Sequence, residues 1–212
     1  MRLKAKTLTM NRRNLLGAGL CASAVLASGA AAAAPQSAPL APRPLSYAAR
    51  HGWLPNVPLL AHTGATYHFY DDLVRDRIIL LNFFVVACTE GRCPVANQNL
   101  RKVQDMFGDR MGRDVFFYSV TLEPEKDTQP ILKEYAEDIF EVGPGWLFLT
   151  GKPADVEALR VAQGFVDQDP ERDRDVSNHS STARLIADRK GRWAMVPLNT
   201  SPRNIYTSLA TL

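Results

Sequence analysis

A nearly unbroken apolar run occupies residues 78–87, which read IILLNFFVVA. Such a run, rich in branched and aromatic side chains, predicts a central strand that is covered on both faces. Residues 115–120 (VFFYSV) predict a second buried strand. Residues 146–149 (WLFL) predict a short third strand, which ends before Gly151. The three runs therefore predict strands of a buried sheet.

Segments with helical spacing of apolar residues lie between these strands. Residues 95–107 predict a helix, and Pro94 suits its first turn. Two further helices are predicted over residues 127–137 and 153–163. The chain therefore alternates strand and helix through its middle part.

Two strand-like segments close the chain, at residues 181–188 and 193–196, and Arg-Lys-Gly-Arg joins them as a hairpin turn. Strands that alternate with helices, followed by a hairpin, predict an α/β sandwich built on one mixed sheet. Cys88 and Cys93 lie between the first core strand and its helix, a placement that resembles the thioredoxin arrangement.

The composition and charge are those of a soluble globular domain, with 46% hydrophobic and 22% charged residues. The formal net charge of +3 is misleading, because residues 1–34 carry five basic side chains and no acidic one. The remainder has 20 basic against 22 acidic side chains, a net charge of −2. A nucleic-acid binder would show a basic patch, so no nucleic-acid partner is expected.

Residues 1–34 have the layout of an export signal: a basic start, a Gly/Ala-rich apolar middle and five closing alanines. Arg12-Arg13, followed by Asn-Leu-Leu, resembles the twin-arginine signal. An ordinary secretory signal and a retained membrane anchor are the alternatives, the latter because the uncharged stretch is long enough to span a bilayer. All three place the folded domain outside the cytoplasm, in the periplasm.

Residues 35–45 are rich in Pro and Ala and predict a flexible or extended tether. No internal repeat or second composition break follows. We therefore predict three parts: an export signal over residues 1–34, the tether, and a single domain over residues 46–212.

Cys88 and Cys93 enclose four residues in the predicted strand-to-helix loop. Two sulfurs so close in sequence can form a disulfide, bind a soft metal such as Cu(I), or do each in turn. The helix N-terminus and Arg92 favour the thiolate, whereas Glu90 opposes it. A static structural disulfide is the alternative, although closing so short a loop stabilises little. The third cysteine, Cys21, is expected to leave with the signal.

The four histidines differ as candidate ligands. We expect His51, His62 and His68 to be surface or half-buried side chains rather than ligands. His179 stands in a polar loop immediately before a predicted strand, which permits it to approach the cysteine loop at the same sheet edge. The pattern alone leaves its role open.

Several segments, in the same order, resemble the Sco (SenC/PrrC) family of copper-binding, thioredoxin-fold proteins, from about Leu59 to Trp193. The segments are residues 69–73 (FYDDL) with the core strand that follows, which resemble the family's opening hairpin and core strand; Cys88…Cys93-Pro94; residues 119–128 (SVTLEPEKDT) with LKEYA at 132–136; residues 146–151 (WLFLTG); and residues 178–181 (NHSS). Each motif is short, but five in this order are specific.

The resemblance implies a thioredoxin-like α/β fold, with a central mixed β-sheet flanked by helices and a family-type β-hairpin insertion. It also implies that Cys88, Cys93 and His179 bind copper, as Cu(I) or Cu(II). In the family this site serves assembly of the binuclear copper centre of respiratory oxidases. The implied partners are the export machinery and a cuproenzyme client, such as the copper-bearing subunit of cytochrome oxidase, and the protein itself is expected to be a monomer.

A copper-independent activity is the rival hypothesis: a thiol-disulfide oxidoreductase that uses Cys88 and Cys93 as a redox pair on protein cysteines. Departures from the family pattern bear on this choice. The family's cysteines enclose three residues rather than four, Asn178 replaces the acid before the histidine, and Glu123 replaces an aspartate. The first alters the placement of the two sulfurs, and the second removes a charge that could orient an imidazole ring.

Overall fold

The computed structural model describes residues 52–88, 92–175 and 181–212, and within these it leaves the side chains of Arg92 and Cys93 undescribed. Seven strands form one mixed sheet. They are β1 (Pro58–Ala61), β2 (Thr66–His68), β3 (Ile78–Phe84), β4 (Val115–Thr121), β5 (Trp146–Thr150), β6 (Thr182–Ala187) and β7 (Arg192–Pro197). Their order across the sheet is β2-β1-β5-β4-β3-β6-β7.

Helices flank the sheet on both faces. They are α1 (Arg92–Phe107), α2 (Gln129–Glu134), α3 (Pro153–Ala162), α4 (Pro170–Arg174) and α5 (Pro202–Ala210). Helix α2 continues into a π-helical turn, Tyr135–Ile139, and a second π-helical turn, Phe69–Val74, precedes β3. In the described part of the chain, no helix is long and apolar enough to cross a membrane.

The three central strands, β3, β4 and β5, are parallel, and β1 and β6 add to them in antiparallel orientation. Leu80 and Phe84 of β3 face the apolar cluster that contains side chains of α1, α2 and α5. Ile79 and Leu81 face a second cluster, which contains side chains of α3 and of the Phe69–Val74 turn. Because helices cover both faces, the central strands are apolar at nearly every position.

A buried polar network explains the one polar residue inside β3. The Ser119 hydroxyl donates to Asn82 Oδ1 at 2.8 Å and accepts from Trp146 Nε1 at 3.0 Å. The three residues come from β3, β4 and β5, and all are almost completely buried. If one of these strands slipped by one residue against its neighbour, the polar groups would be left unpaired in the core. The network therefore favours a single pairing register.

The mixed sheet with helices on both faces confirms the predicted architecture, but several boundaries differ. Strand β3 ends at Phe84 rather than at Ala87, and the helix predicted from residue 127 begins at Gln129. Strand β1 and helices α4 and α5 were not predicted individually.

The expectation that residues 69–73 belong to the opening hairpin is wrong. The hairpin is formed by β1 and β2, and residues 69–74 form a helical turn. Asn56 Oδ1 accepts from the backbone N–H of both Tyr70 and Asp71 at 3.0 Å. These are amides at the start of the turn, which an external acceptor satisfies in place of a neighbouring strand.

Candidate functional site

Cys88 lies in the loop that leaves the carboxyl end of β3, four residues after Phe84. The side chain is half-buried and packs against the apolar cluster on the α1 side of the sheet. One part of the residue is therefore held by the core, while the other part is accessible from solvent.

Cys93 is the second residue of α1, so its backbone belongs to the first helical turn. Residues 89–91 and the Cys93 side chain lie outside the described part, so the structure does not define the distance between the two sulfurs. The first backbone N–H groups of a helix lack partners within it and favour a negative charge nearby. This position therefore favours the thiolate form of a cysteine.

His179 lies in the segment 176–180, outside the described residues. The strand that follows it is described: β6 runs antiparallel to β3, with Ala183 opposite Asn82. The beginning of β6 therefore lies at the sheet edge from which the Cys88 loop leaves. The described residues contain no group of three or more His, Cys, Asp or Glu side chains that could hold a metal ion.

Asp127 holds the loop that carries Cys88. Its buried carboxylate accepts from the Val86 backbone N–H at 3.1 Å and from the Thr121 hydroxyl. Thr121 Oγ1 in turn accepts from the Glu123 backbone N–H at 3.0 Å. The loops after β3 and β4 are thus joined through one carboxylate. The sequence contained Asp127 only as part of a longer motif, and its role depends on burial that sequence spacing does not reveal.

Asn99 makes a second connection, between α1 and the strands at the other side of β3. Its side-chain amide donates to the carbonyl oxygens of Leu198 at 2.8 Å and Thr200 at 3.1 Å. The Leu198 N–H donates to the Ser181 carbonyl at 2.7 Å. The helix that contains Cys93 is therefore tied to the residue just before β6.

His62 contradicts the expectation of a surface or half-buried histidine, because it is only 4% exposed. It follows β1, where its Nδ1 accepts from the Phe148 N–H at 3.2 Å. Burial lowers the pKa of His62 below its ordinary value of 6.5, and the nearby Glu137 carboxylate partly opposes this shift. His68 is exposed, as predicted, and His51 lies outside the described residues.

The comparison with protein families identifies the fold's relatives. The SCO1/SenC family model matches residues 59–212, most of the chain. This chain belongs to the SCO1/SenC family. A SCO2-like protein of Rickettsia prowazekii is 25% identical over 129 residues, which are 59% of this chain and 60% of that relative. The chain therefore spans less than two thirds of the relative's length.

Solved structures of Sco proteins share the fold. Copper-bound ScoI of Bradyrhizobium japonicum has a TM-score of 0.58 at 21% identity, over 74% of this chain and 98% of that one. BsSco, a member of the Sco family of cytochrome c oxidase assembly proteins in which a disulfide switch was identified, also has a TM-score of 0.58. It is 20% identical, over 74% of this chain and 92% of its own. The likeness confirms the predicted thioredoxin-like fold.

Replacing Asp127 with alanine should loosen the Cys88 loop, because the Val86 N–H and the Thr121 hydroxyl lose a buried acceptor. We expect the free energy of unfolding to fall by about 2 kcal/mol and the Val86 amide to exchange faster with solvent. Urea unfolding and amide hydrogen exchange measure the two effects.

Asp105→Ala is the matched control, since that carboxylate is exposed and pairs with Arg101 on the surface. Its loss should cost less than about 1 kcal/mol and leave Val86 exchange unchanged. Equal effects of the two substitutions would contradict the role given to Asp127.

Burial of neutral His62 should make stability depend on pH. Because its pKa is lower in the folded state than in the unfolded chain, the unfolded chain binds the proton more tightly. The contribution of His62 to stability is therefore fully present above its ordinary pKa of 6.5 and is lost as the pH falls below that value.

We expect His62→Gln to flatten the fall in unfolding free energy between about pH 7 and pH 5. The His62 ring resonances should titrate below pH 6.5. His68→Gln, which changes an exposed histidine, is the control. A His62 titration above the ordinary value would show that burial does not govern this group.

Proposed function

We propose that this protein is an exported copper-binding protein that helps to assemble the copper site of a respiratory oxidase or another cuproenzyme. Membership of the SCO1/SenC family is the observation that carries the proposal. Two of its structural relatives support it, because ScoI was solved with copper bound and BsSco belongs to a group of cytochrome c oxidase assembly proteins.

The proposed copper ligands are Cys88, Cys93 and His179. Two thiolates suit Cu(I), and an imidazole nitrogen extends the set toward Cu(II). The described elements support this grouping, since the Cys88 loop, the first turn of α1 and the start of β6 all lie at one edge of the sheet. Copper binding must displace thiol protons, so affinity should increase with pH.

The protein's own residues would then provide a positioned but accessible site. Asp127 holds the Cys88 loop, and Asn99 ties α1 to the residues before β6. Cys88 is half-buried, which leaves an approach from solvent for the ligands of a client protein. Copper in this proposal is cargo, which the client receives when its own ligands replace these.

A thiol-disulfide oxidoreductase that works without copper is the second candidate. The position of Cys93 in the first turn of α1 favours this chemistry, because the helix N-terminus stabilises a thiolate. One thiolate would attack a client's disulfide sulfur and release the client's other sulfur as a thiolate. The second cysteine would then attack the mixed disulfide, leaving the client reduced and this pair oxidised.

Copper titration of the reduced protein distinguishes the two candidates. We expect one copper per chain and a thiolate-to-Cu(II) band in the absorbance spectrum. Electron paramagnetic resonance, recorded in parallel, detects the Cu(II). Cys88→Ser and Cys93→Ser should abolish the band. His179→Ala should abolish Cu(II) binding but retain Cu(I), because two thiolates suffice for the softer ion.

Cys21→Ser and His68→Ala are the matched controls, since neither residue belongs to the proposed site, and both variants should bind like the wild type. Unchanged copper binding in Cys93→Ser would contradict the proposed ligands. Absence of specific copper, together with rapid protein-disulfide exchange that His179→Ala leaves unaffected, would favour the oxidoreductase.

Export is the third element of the proposal, with residues 1–34 as a twin-arginine signal, residues 35–45 as a tether and the folded domain in the periplasm. The paired arginines, the uncharged stretch and the closing alanines support it. The twin-arginine route exports folded proteins, so the domain would fold before it crosses the membrane.

Replacing Arg12-Arg13 with Lys-Lys should abolish export, because the twin-arginine receptor reads the arginine pair itself and the substitution preserves the charge. Cell fractionation and processing of the precursor measure the effect. The matched control replaces Lys4 and Lys6 with arginine and should be exported normally. Normal export of the Lys-Lys variant would indicate the ordinary secretory route.

A further inference from the structure

A cavity of about 300 Å³ lies on the face of the sheet opposite α1. It is bordered by the end of α3, by β6 and β7, and by the segment before β1. The residues that matter here are Trp53, Val161, Gln163, Arg184, Ile186 and Trp193. This volume is at the lower end of the range for small-molecule sites in proteins.

Two tryptophans form one wall of the cavity. Trp53 and Trp193 meet edge to face, with ring centroids 5.1 Å apart and an interplanar angle of 83°. They are 43% and 44% exposed, and Val161 and Met195 nearby are also exposed apolar side chains. So much exposed aromatic surface around one concavity is typical of a binding site rather than of a finished core.

Arg184 reaches the cavity from β6 and supplies its positive charge. One guanidinium nitrogen, Nη2, donates to the Gln163 carbonyl at 2.7 Å. Among the described residues, the buried Nε of Arg184 has no hydrogen-bond partner. Burial lowers the pKa of Arg184, and among the described residues no carboxylate offsets this effect.

A second arginine on this side of the sheet is paired with carboxylates. Arg160 of α3 donates to both carboxylate oxygens of Asp173, at 2.7 and 2.8 Å, and to those of Glu157 at 2.8 Å. Arg184 is likewise partly buried, but the described residues offer it no carboxylate. A desolvated guanidinium without a counter-ion is unfavourable, and an incoming anion would relieve that cost.

We propose that this cavity binds a small carboxylate that carries an apolar, preferably aromatic, group. The carboxylate would accept hydrogen bonds from the Arg184 guanidinium, and the apolar group would pack against Trp53 and Trp193. Arginine suits such a ligand because its planar fork matches carboxylate geometry. None of the residues that line the cavity is a proposed copper ligand, and Cys88 packs on the other face of the sheet.

Calorimetric titration of the full chain with 4-phenylbutyrate tests the proposal, beside its neutral analogue 4-phenylbutanamide. We expect saturable binding of the acid, at least about tenfold tighter than that of the amide, because only the acid pairs with Arg184. Tryptophan fluorescence should change as well, since two of the three tryptophans border the cavity.

Arg184→Met should remove the preference for the acid while leaving the amide's affinity nearly unchanged, and Arg184→Lys should retain part of the preference. Arg192→Gln is the matched control: it removes an exposed cation from the adjacent strand and should bind like the wild type. Comparing acid with amide within each variant separates a lost contact from a damaged fold, which would weaken both ligands.

A second arm distinguishes a free acid from the carboxyl end of a peptide. N-acetyl-alanyl-phenylalanine, with a free terminal carboxylate, is titrated beside the same peptide as its amide. Tighter binding of the peptide acid than of 4-phenylbutyrate assigns the site to chain ends, and the reverse assigns it to free acids. Equal affinity for acid and amide, an acid preference that survives Arg184→Met, or no saturable binding would overturn the proposal.

Discussion

The buried carboxylate of Asp127 anchors the chain just beyond the end of the central strand. It accepts from the Val86 N–H just beyond the end of β3, so this amide pairs with a side chain rather than with a neighbouring strand. It also accepts from Thr121, the last residue of the parallel strand β4. Two loops that leave the sheet side by side are thereby fixed to each other. The position of Cys88 depends on this contact, because only Ala87 separates it from the anchored amide.

Contacts between residues far apart in sequence position the other elements of the candidate site relative to the same strands. The Asn82–Ser119–Trp146 network favours one register for β3, β4 and β5. The pairing of Asn82 with Ala183 places the start of β6 beside the end of β3. Asn99 then ties α1 to Leu198, which is hydrogen-bonded to Ser181 just before β6. The elements on either side of the predicted ligands are thus held by polar groups in or near the core, where leaving one unpaired costs most.

The sequence predicted the central strands and α1 because burial on two faces produces a continuous apolar run and helical packing produces a period. It did not predict what depends on distant partners. The turn at residues 69–74 is helical because Asn56 satisfies its first amides, and His62 is buried because β1 pairs beside β5. The cysteines were found by spacing and their proposed role by family resemblance, whereas the function of Asp127 required the fold.

Arg184 illustrates a different limit on prediction from sequence. A charged residue that alternates with apolar ones in a strand normally indicates a solvent-facing position. Here α3 and two tryptophans partly enclose that position, and the sequence pattern does not contain their arrangement. Family membership supports a function at the edge of the sheet where the cysteines lie. It implies nothing about the cavity on the face opposite α1. Two arginines differ in a way that favours a second ligand: Arg160 is surrounded by carboxylates, whereas Arg184 is enclosed without any from the described residues.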